Sequence, residues 1–302
     1  MIFLYDAMMD WNQIATDISA ATGESFQIER HSRIGGGCIN SACRVEGNGQ
    51  RYFVKLNRAE LLDMFVAEAE GLSEMASAEA IRVPRPVVYG TAAGQAWIAM
   101  ELIEFGGSSR GAMAEFGRQL AAMHQHTQAQ FGWHRDNTIG STHQPNDRQQ
   151  SWLDFWREQR LGYQLELAAR HGGSGRMLSQ GEKLLGSLDA FFSDYLPDAS
   201  LLHGDLWSGN YAISETGEPV IFDPAVYYGD READIAMTEL FGGFGGEFYA
   251  AYNEAWPLDP GYQTRKTLYN LYHILNHFNM FGGGYGSQAE SMIDRLLSEV
   301  HA

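Results

Sequence analysis

Residues 201–224 contain the run His203-Gly204-Asp205-Leu206-Trp207-Ser208-Gly209-Asn210 and, beyond the turn Glu215-Thr216-Gly217-Glu218, the run Val220-Ile221-Phe222-Asp223-Pro224. No other part of the chain restricts the fold so closely. Gly, Asp, Asn and Pro are all turn residues, so either run alone would mark nothing more than a turn. Together they fix identity and separation at three polar positions, Asp205, Asn210 and Asp223, with short apolar strands in between to hold them. The surrounding text is helical, with apolar residues at helical spacing over 112–127, 152–170, 181–195, 246–256 and 262–280. A loop-rich insertion in a helical domain is where chemistry concentrates. Asp234 then opens a further apolar helix, either capping it or tying down the preceding loop.

The first hundred residues follow another pattern. From Phe26 to about Val54, alternation broken at Gly35-Gly36-Gly37 and at Gly47-Asn48-Gly49 predicts strand, glycine loop, strand, tight hairpin, strand. Glycines at 35–37, followed by Cys38, allow backbone amides to approach a phosphate closely. A bare turn between two strands would read the same way, and what strengthens the phosphate reading is Lys55, set on the third strand among Tyr52, Phe53, Val54 and Leu56. A lysine buried there needs a carboxylate to orient it. The helix predicted over 60–80 offers Glu68 and Glu70; Glu68 lies one turn from Phe65 and Leu72, beside the packing face, whereas Glu70 turns outward. Two more strands are expected around 86–89 and 97–102. The reading is of the α+β class: a small sheet carrying one helix, then a mainly helical part.

Composition narrows the partners. With 21 Lys and Arg against 38 Asp and Glu, the formal net charge is -17, which argues against nucleic acid and anionic membrane, since both are bound by clustered cations. A nucleotide is still compatible with an acidic chain if a few basic groups, amides and a metal ion are placed locally. Cys38 and Cys43 are the two cysteines, too few for a disulfide scaffold. The stretch 1–11 lacks a basic n-region and carries Asp6, and no apolar run approaches the roughly 18 residues of a membrane span, so the expected compartment is the cytoplasm. His124, His126, His273 and His277 lie on helical text without a metal-ligand pattern, and zinc is not expected.

The order and spacing of Asp205, Asn210 and Asp223, with Lys55 upstream, resemble the catalytic and metal loops of protein kinases. That resemblance implies a bilobal protein-kinase-like fold, with an N-terminal antiparallel β-sheet lobe over 1–102 and a larger, mainly helical catalytic and substrate-binding lobe over 103–302. It implies ATP and Mg²⁺, with Asp205 as the base, Asn210 and Asp223 as magnesium ligands, and Gly35, Gly36, Gly37 and Cys38 over the phosphates. Lys55 would be oriented by Glu68, and Met100, Glu101 and Leu102 would form the hinge whose backbone binds adenine. Further blocks are more specific: Gly35-Gly36-Gly37-Cys38-Ile39-Asn40, Phe131-Gly132-Trp133, Asn137-Thr138-Ile139-Gly140, Gln144-Pro145-Asn146, Trp152-Leu153-Asp154-Phe155, the Trp-Ser-Gly-Asn ending at Asn210, and Tyr227-Tyr228-Gly229-Asp230-Arg231-Glu232. In these blocks, over almost its whole length, the chain resembles the fructosamine kinase or ketosamine-3-kinase family, which is related to aminoglycoside and choline kinases.

This second resemblance implies phosphorylation of the C3 hydroxyl of a ketosamine, either a free sugar-amine or a glycated lysine, so that the adduct is destabilised and the amine recovered. The alternative is a kinase for another small hydroxyl compound of the aminoglycoside, choline or homoserine type. Trp207 stands where a serine/threonine kinase has a lysine, and its face can stack on a sugar ring. His203 joins it as a substrate-side candidate, with bracing of the loop as its more natural work. The short interval from Asp223 to Asp234 leaves no room for a long activation loop and argues against large protein substrates.

Overall fold

In the computed structural model, which describes residues 9–35, 39–107 and 110–300, the chain divides into two compact units, Met1–Ser109 with Ala212–Phe222, and Arg110–Tyr211 with Asp223–Ala302. The sequence reading puts a boundary at 102/103 and leaves 212–222 with the helical part. Backbone bonding explains the different membership: Gly106 N–H donates to Ile213 O (2.8 Å), Glu215 N–H to Glu104 O (3.0 Å) and Ile221 N–H to Arg82 O (3.1 Å).

The first unit begins with helix α1 (Trp11–Thr22), capped by Asp10, whose carboxylate accepts from Gln13 N–H at 3.1 Å. Strands β1 (Arg30–Ile34), β2 (Ser41–Gly47) and β3 (Gln50–Arg58) precede helix α2 (Leu62–Ser77), and β4 (Pro86–Ala92) and β5 (Gln95–Glu101) follow it. They form one antiparallel sheet in the order β1-β2-β3-β5-β4. The β2–β3 hairpin turns on Asn48 and Gly49, both at positive φ (52° and 75°), the twist a two-residue hairpin requires. Side chains alternate along β3, so Val54 and Leu56 pack with Ile14, Ile18 and Phe26. Lys55, opposite Ile98, points to the other face, where Glu68 of α2 meets it. Both faces are therefore covered, which is why β3 reads as nearly continuous apolar text. The single helix expected in this part becomes two. α1 escaped notice because its buried stripe is only Ile14, Ala15 and Ile18.

The second unit opens with α3 (Ala112–His124), the short strands β6 (Thr127–Gln128), β7 (Asn137–Ile139) and β8 (Thr142–Gln144), and α4 (Trp152–Phe155). α4 runs through a π-helical stretch, Trp156–Gly162, into α5 (Tyr163–Arg170), followed by α6 (Gly175–Leu185) and β9 (Ala199–Leu202). The hairpin β10 (Tyr211–Ile213) and β11 (Pro219–Ile221) leads to β12 (Tyr227–Gly229), α7 (Glu232–Leu240), α8 (Gly246–Ala255), α9 (Tyr262–Phe281) and α10 (Tyr285–Val300). α9 forms much of the core, with Leu268, Tyr269, Leu271, Tyr272, Ile274 and Leu275 all buried. α3 and α8 touch backbone to backbone, since a Cβ at Gly117 would lie 2.3 Å from Phe248 O. The helix expected from Gly181 instead starts at Gly175 under a Ser174 cap. Gly181 is an interior contact whose added Cβ would meet Leu165 at 2.7 Å. Among the described residues, no helix is long and apolar enough to cross a membrane.

Candidate active site

Strands β9 and β12 pair antiparallel with Leu202 opposite Tyr227. The residues after β9, 203–205, and those before β12, 223–226, therefore leave the sheet at the same end. Ala225 N–H donates to His203 O at 2.8 Å, and the two segments pass so closely that a Cβ on Gly204 would lie 2.1 Å from Ala225 O. Gly204 is also at φ 81°, so glycine is required there twice over. Asn210 closes the group: its side-chain nitrogen donates to Asp205 O (2.9 Å) and Asp205 Oδ2 (3.3 Å), and makes a long contact with Asp223 O (3.5 Å). Asp223 sits at φ 58°, a left-handed conformation rare outside glycine, and strain of this kind gathers at functional sites. The three polar positions singled out in the sequence thus form one cluster.

The electrostatics of the cluster centre on Asp205. Part of its surface reaches solvent, yet most of its surroundings are protein, and this burial, together with the charge of Asp223, raises its pKa to about 7 against the opposing hydrogen bond from Asn210. Asp234, at the start of α7, holds the loop from beneath: Oδ2 accepts from His203 N–H (2.7 Å) and Oδ1 from Gly204 N–H (2.8 Å). Burial would push the Asp234 carboxyl up, but hydrogen bonds from His124 and the Gly204 amide hold it below the usual carboxylate range. Burial pushes the His124 imidazole down against the opposing pull of Asp234; its Nε2 lies 3.1 Å from Asp234 Oδ2 and its Nδ1 2.8 Å from the Tyr252 hydroxyl. His203 is fully buried, and its Nδ1 accepts from Asp205 N–H at 3.2 Å. That burial leaves the ring closed to solvent, and the bond ties it to the backbone of the loop.

Trp207 is 38% exposed, and Gly209 makes room for it, since a Cβ there would lie 2.3 Å from the indole. Its ring meets Phe241 edge-on at 6.3 Å; Phe241 contacts His277 at 5.1 Å, and His277 contacts Tyr285 at 5.1 Å and Phe281 at 5.8 Å. This row of partly exposed rings was missed in the sequence, because its members lie on separate elements and helical spacing does not show what a ring touches. Buried His273, on the same helix as His277, has its pKa lowered to about 3 by desolvation.

In the first unit, Lys55 Nζ lies 2.5 Å from Glu68 Oε1, and both side chains are more than 90% buried. Glu70 is half-buried on the same helix. Met100 is buried at the end of β5, Glu101 accepts from Arg82 Nη2 (2.9 Å), and Leu102 follows the strand. Gly35 is exposed, with open space where a Cβ would stand, while Gly36, Gly37 and Cys38 lie outside the described residues. Among the described residues, no group of three or more His, Cys, Asp or Glu side chains is placed to hold a metal ion.

Comparison with known proteins finds the fructosamine kinase family model matching residues 10–299. A Synechocystis protein assigned as a ketoamine kinase is 52% identical over 293 residues, covering 95% of this chain and 97% of the relative. The chloroplastic protein-ribulosamine 3-kinase of Arabidopsis thaliana is 46% identical over 283 residues, 93% of this chain and 86% of that one. Among solved structures, a Haemophilus somnus protein assigned as a fructosamine-3-kinase superposes with a TM-score of 0.88 at 30% identity, covering 97% of this chain and 99% of that one. An aminoglycoside phosphotransferase, APH(4)-Ia, solved with ADP and hygromycin B, superposes with a TM-score of 0.60 at 14% identity over 95% of this chain and 98% of that one, a likeness of fold. The α+β fold is that of the protein-kinase-like phosphotransferases.

Proposed function

The chain belongs to the fructosamine kinase family, and on that premise we propose that it transfers the γ-phosphoryl group of ATP to the C3 hydroxyl of ketosamines. The observation that carries the reading is the cluster of Asp205, Asn210 and Asp223, with the partly exposed Trp207 on the same loop. The acceptor oxygen attacks the γ-phosphorus while the bond from that phosphorus to the β–γ bridging oxygen breaks, and ADP leaves. Asp205 takes the hydroxyl proton. Burial and the nearby Asp223 charge raise its proton affinity, which makes it a stronger acceptor than a solvated aspartate.

Magnesium fits this corner by the chemistry of its donors. The Asn210 nitrogen is committed to Asp205 O and Asp205 Oδ2, so its amide oxygen is the atom able to hold a cation, and Asp223 adds a carboxylate. Bound there, the ion would neutralise charge on the triphosphate oxygens. In the first unit, Lys55, oriented by Glu68, is assigned to the phosphates, the glycine loop 35–38 to their covering, and the backbone of Met100, Glu101 and Leu102 to adenine.

Trp207 presents the indole face on which the sugar of the acceptor stacks. The acceptor class is a small sugar-amine or a glycated lysine, and the cytoplasm is the proposed compartment. Phosphate at C3 replaces a poor leaving group with a good one, so the adduct comes apart and the amine is released. ADP release measured on ribulosyl-lysine, fructosyl-lysine, an aminoglycoside, choline and homoserine tests the assignment. A kcat/KM on the preferred ketosamine at least about 100-fold above the other classes is expected, a gap of roughly 3 kcal/mol in transition-state binding. Preference for the aminoglycoside, choline or homoserine would overturn the substrate class and leave the kinase chemistry standing.

A further inference from the structure

Three buried amide side chains, Asn137, Gln144 and Asn146, take no part in the transfer chemistry described above. They bond to one another, and two of them, Asn137 and Gln144, bond also to the backbone at 225–226. Asn137 Nδ2 donates to Val226 O at 2.7 Å, and Gln144 Nε2 donates to Ala225 O at 3.1 Å and to Asn137 Oδ1 at 2.8 Å. Asn146 Nδ2 donates to the same Asn137 Oδ1 at 3.0 Å and to Arg135 O at 3.1 Å. From α9, the Tyr272 hydroxyl donates to Gln144 Oε1 at 2.6 Å, which orients the amide so that its nitrogen faces Ala225.

Arg160, on the π-helical stretch, completes the group. It is fully buried, with Nη2 donating to Asn146 Oδ1 (2.7 Å), Nη1 to Pro145 O (2.6 Å), and the guanidinium 3.9 Å over the Tyr227 ring. Among the described residues no carboxylate pairs with it, and its Nε has no hydrogen-bond partner. A buried charge met only by neutral oxygens and ring faces is a weak source of stability, and apolar side chains of similar volume would serve packing at least as well. What the group does is hold two carbonyls, Ala225 O and Val226 O, in the segment that packs against the catalytic loop. Those carbonyls belong to the segment that begins at Asp223, whose φ of 58° is an unfavourable conformation that needs support from its surroundings.

We propose that Asn137, Gln144, Asn146 and Arg160 form a positioning network that holds the segment 223–226 and thereby aims the Asp223 carboxylate, with Arg160 as its charged anchor. The inference rests on Asp223 being a metal-binding carboxylate, as assigned under the proposed function. Residues that orient a metal ligand without touching the metal typically govern affinity by about 10- to 100-fold.

Gln144→Met keeps the volume and removes both donors and the acceptor. Calorimetry of ADP binding with and without Mg²⁺ gives a readout independent of turnover. In the variant, the gain in ADP affinity conferred by Mg²⁺ is expected to shrink by about tenfold, the Mg²⁺ concentration for half-maximal activity to rise by about the same factor, and metal-free ADP binding to stay unchanged. A folded variant with the wild-type gain overturns the network. Should Gln144→Met fail to fold, Tyr272→Phe, which removes one bond at the edge of the network, decides the matter: a shift of about threefold in the same direction supports it and an unchanged gain refutes it. A wild-type protein whose ADP binding ignores Mg²⁺ would instead remove the metal assignment of Asp223 itself, a result distinct from either.

Discussion

Asp205→Asn is expected to lower turnover by about 10³- to 10⁴-fold while ADP affinity changes less than about twofold. Asparagine matches the shape of aspartate and can still accept the Asn210 hydrogen bond through its amide oxygen. The loop contacts that do not involve the carboxylate persist, namely Asp205 N–H to His203 Nδ1 and Asn210 to Asp205 O. What is lost is the group that accepts the hydroxyl proton. The substitution should not weaken the fold, because Asp205 in the native protein is a partly desolvated carboxylate beside the charge of Asp223, a situation that lifts its pKa to about 7. Single-turnover phosphoryl transfer with saturating ATP is the measurement. Transfer at near the wild-type rate would take the role of base away from Asp205.

Asp223→Asn should be as severe for a different reason, with a loss of about 10³-fold or more in kcat/KM and the disappearance of the Mg²⁺-dependent part of ADP affinity. Asparagine tolerates the left-handed conformation as well as aspartate does, so the backbone at φ 58° is kept while the negative charge goes. Removing that charge also removes one of the two main causes of the elevated Asp205 pKa, which should fall toward the ordinary carboxylate value. Asp223→Gly separates stability from function in the same place. Glycine relieves a left-handed strain of about 1 kcal/mol, so the melting temperature should hold or rise while activity is lost equally. A fully active Asp223→Asn enzyme would mean that the carboxylate does not hold the metal.

The cluster of Asp205, Asn210 and Asp223 was legible because three polar residues at fixed intervals stand against short apolar strands, so their separation in sequence translates into strand ends that meet. The pairing of Lys55 with Glu68 was legible for a similar reason, since strand alternation sets the side of the lysine and helical spacing sets the side of the glutamate. The sequence pattern said less about long-range partners. Gln144-Pro145-Asn146 is conspicuous as text, yet the partner of Gln144 is a backbone carbonyl 81 positions away, and no periodicity reports such a bond. The membership of Ala212–Phe222 in the first unit has the same origin, in backbone bonds to residues 82, 104 and 106. α10 went unread because its apolar stripe, Ala289, Ile293 and Leu296, is narrow and sits in polar text behind Gly282-Gly283-Gly284. For His203 the sequence offered both a substrate-side place and bracing of the loop, and burial, which text does not report, is what bears on the choice.

Phosphorus NMR of the product formed from ATP and ribulosyl-lysine tests the central claim most directly, because coupling between phosphorus and the sugar protons reports which oxygen received the phosphoryl group. The expected spectrum shows one new phosphate ester coupled to the proton on C3, formed by the wild-type enzyme and absent with Asp205→Asn. An ester at another carbon, or ADP accumulating with inorganic phosphate and no ester, would contradict the account.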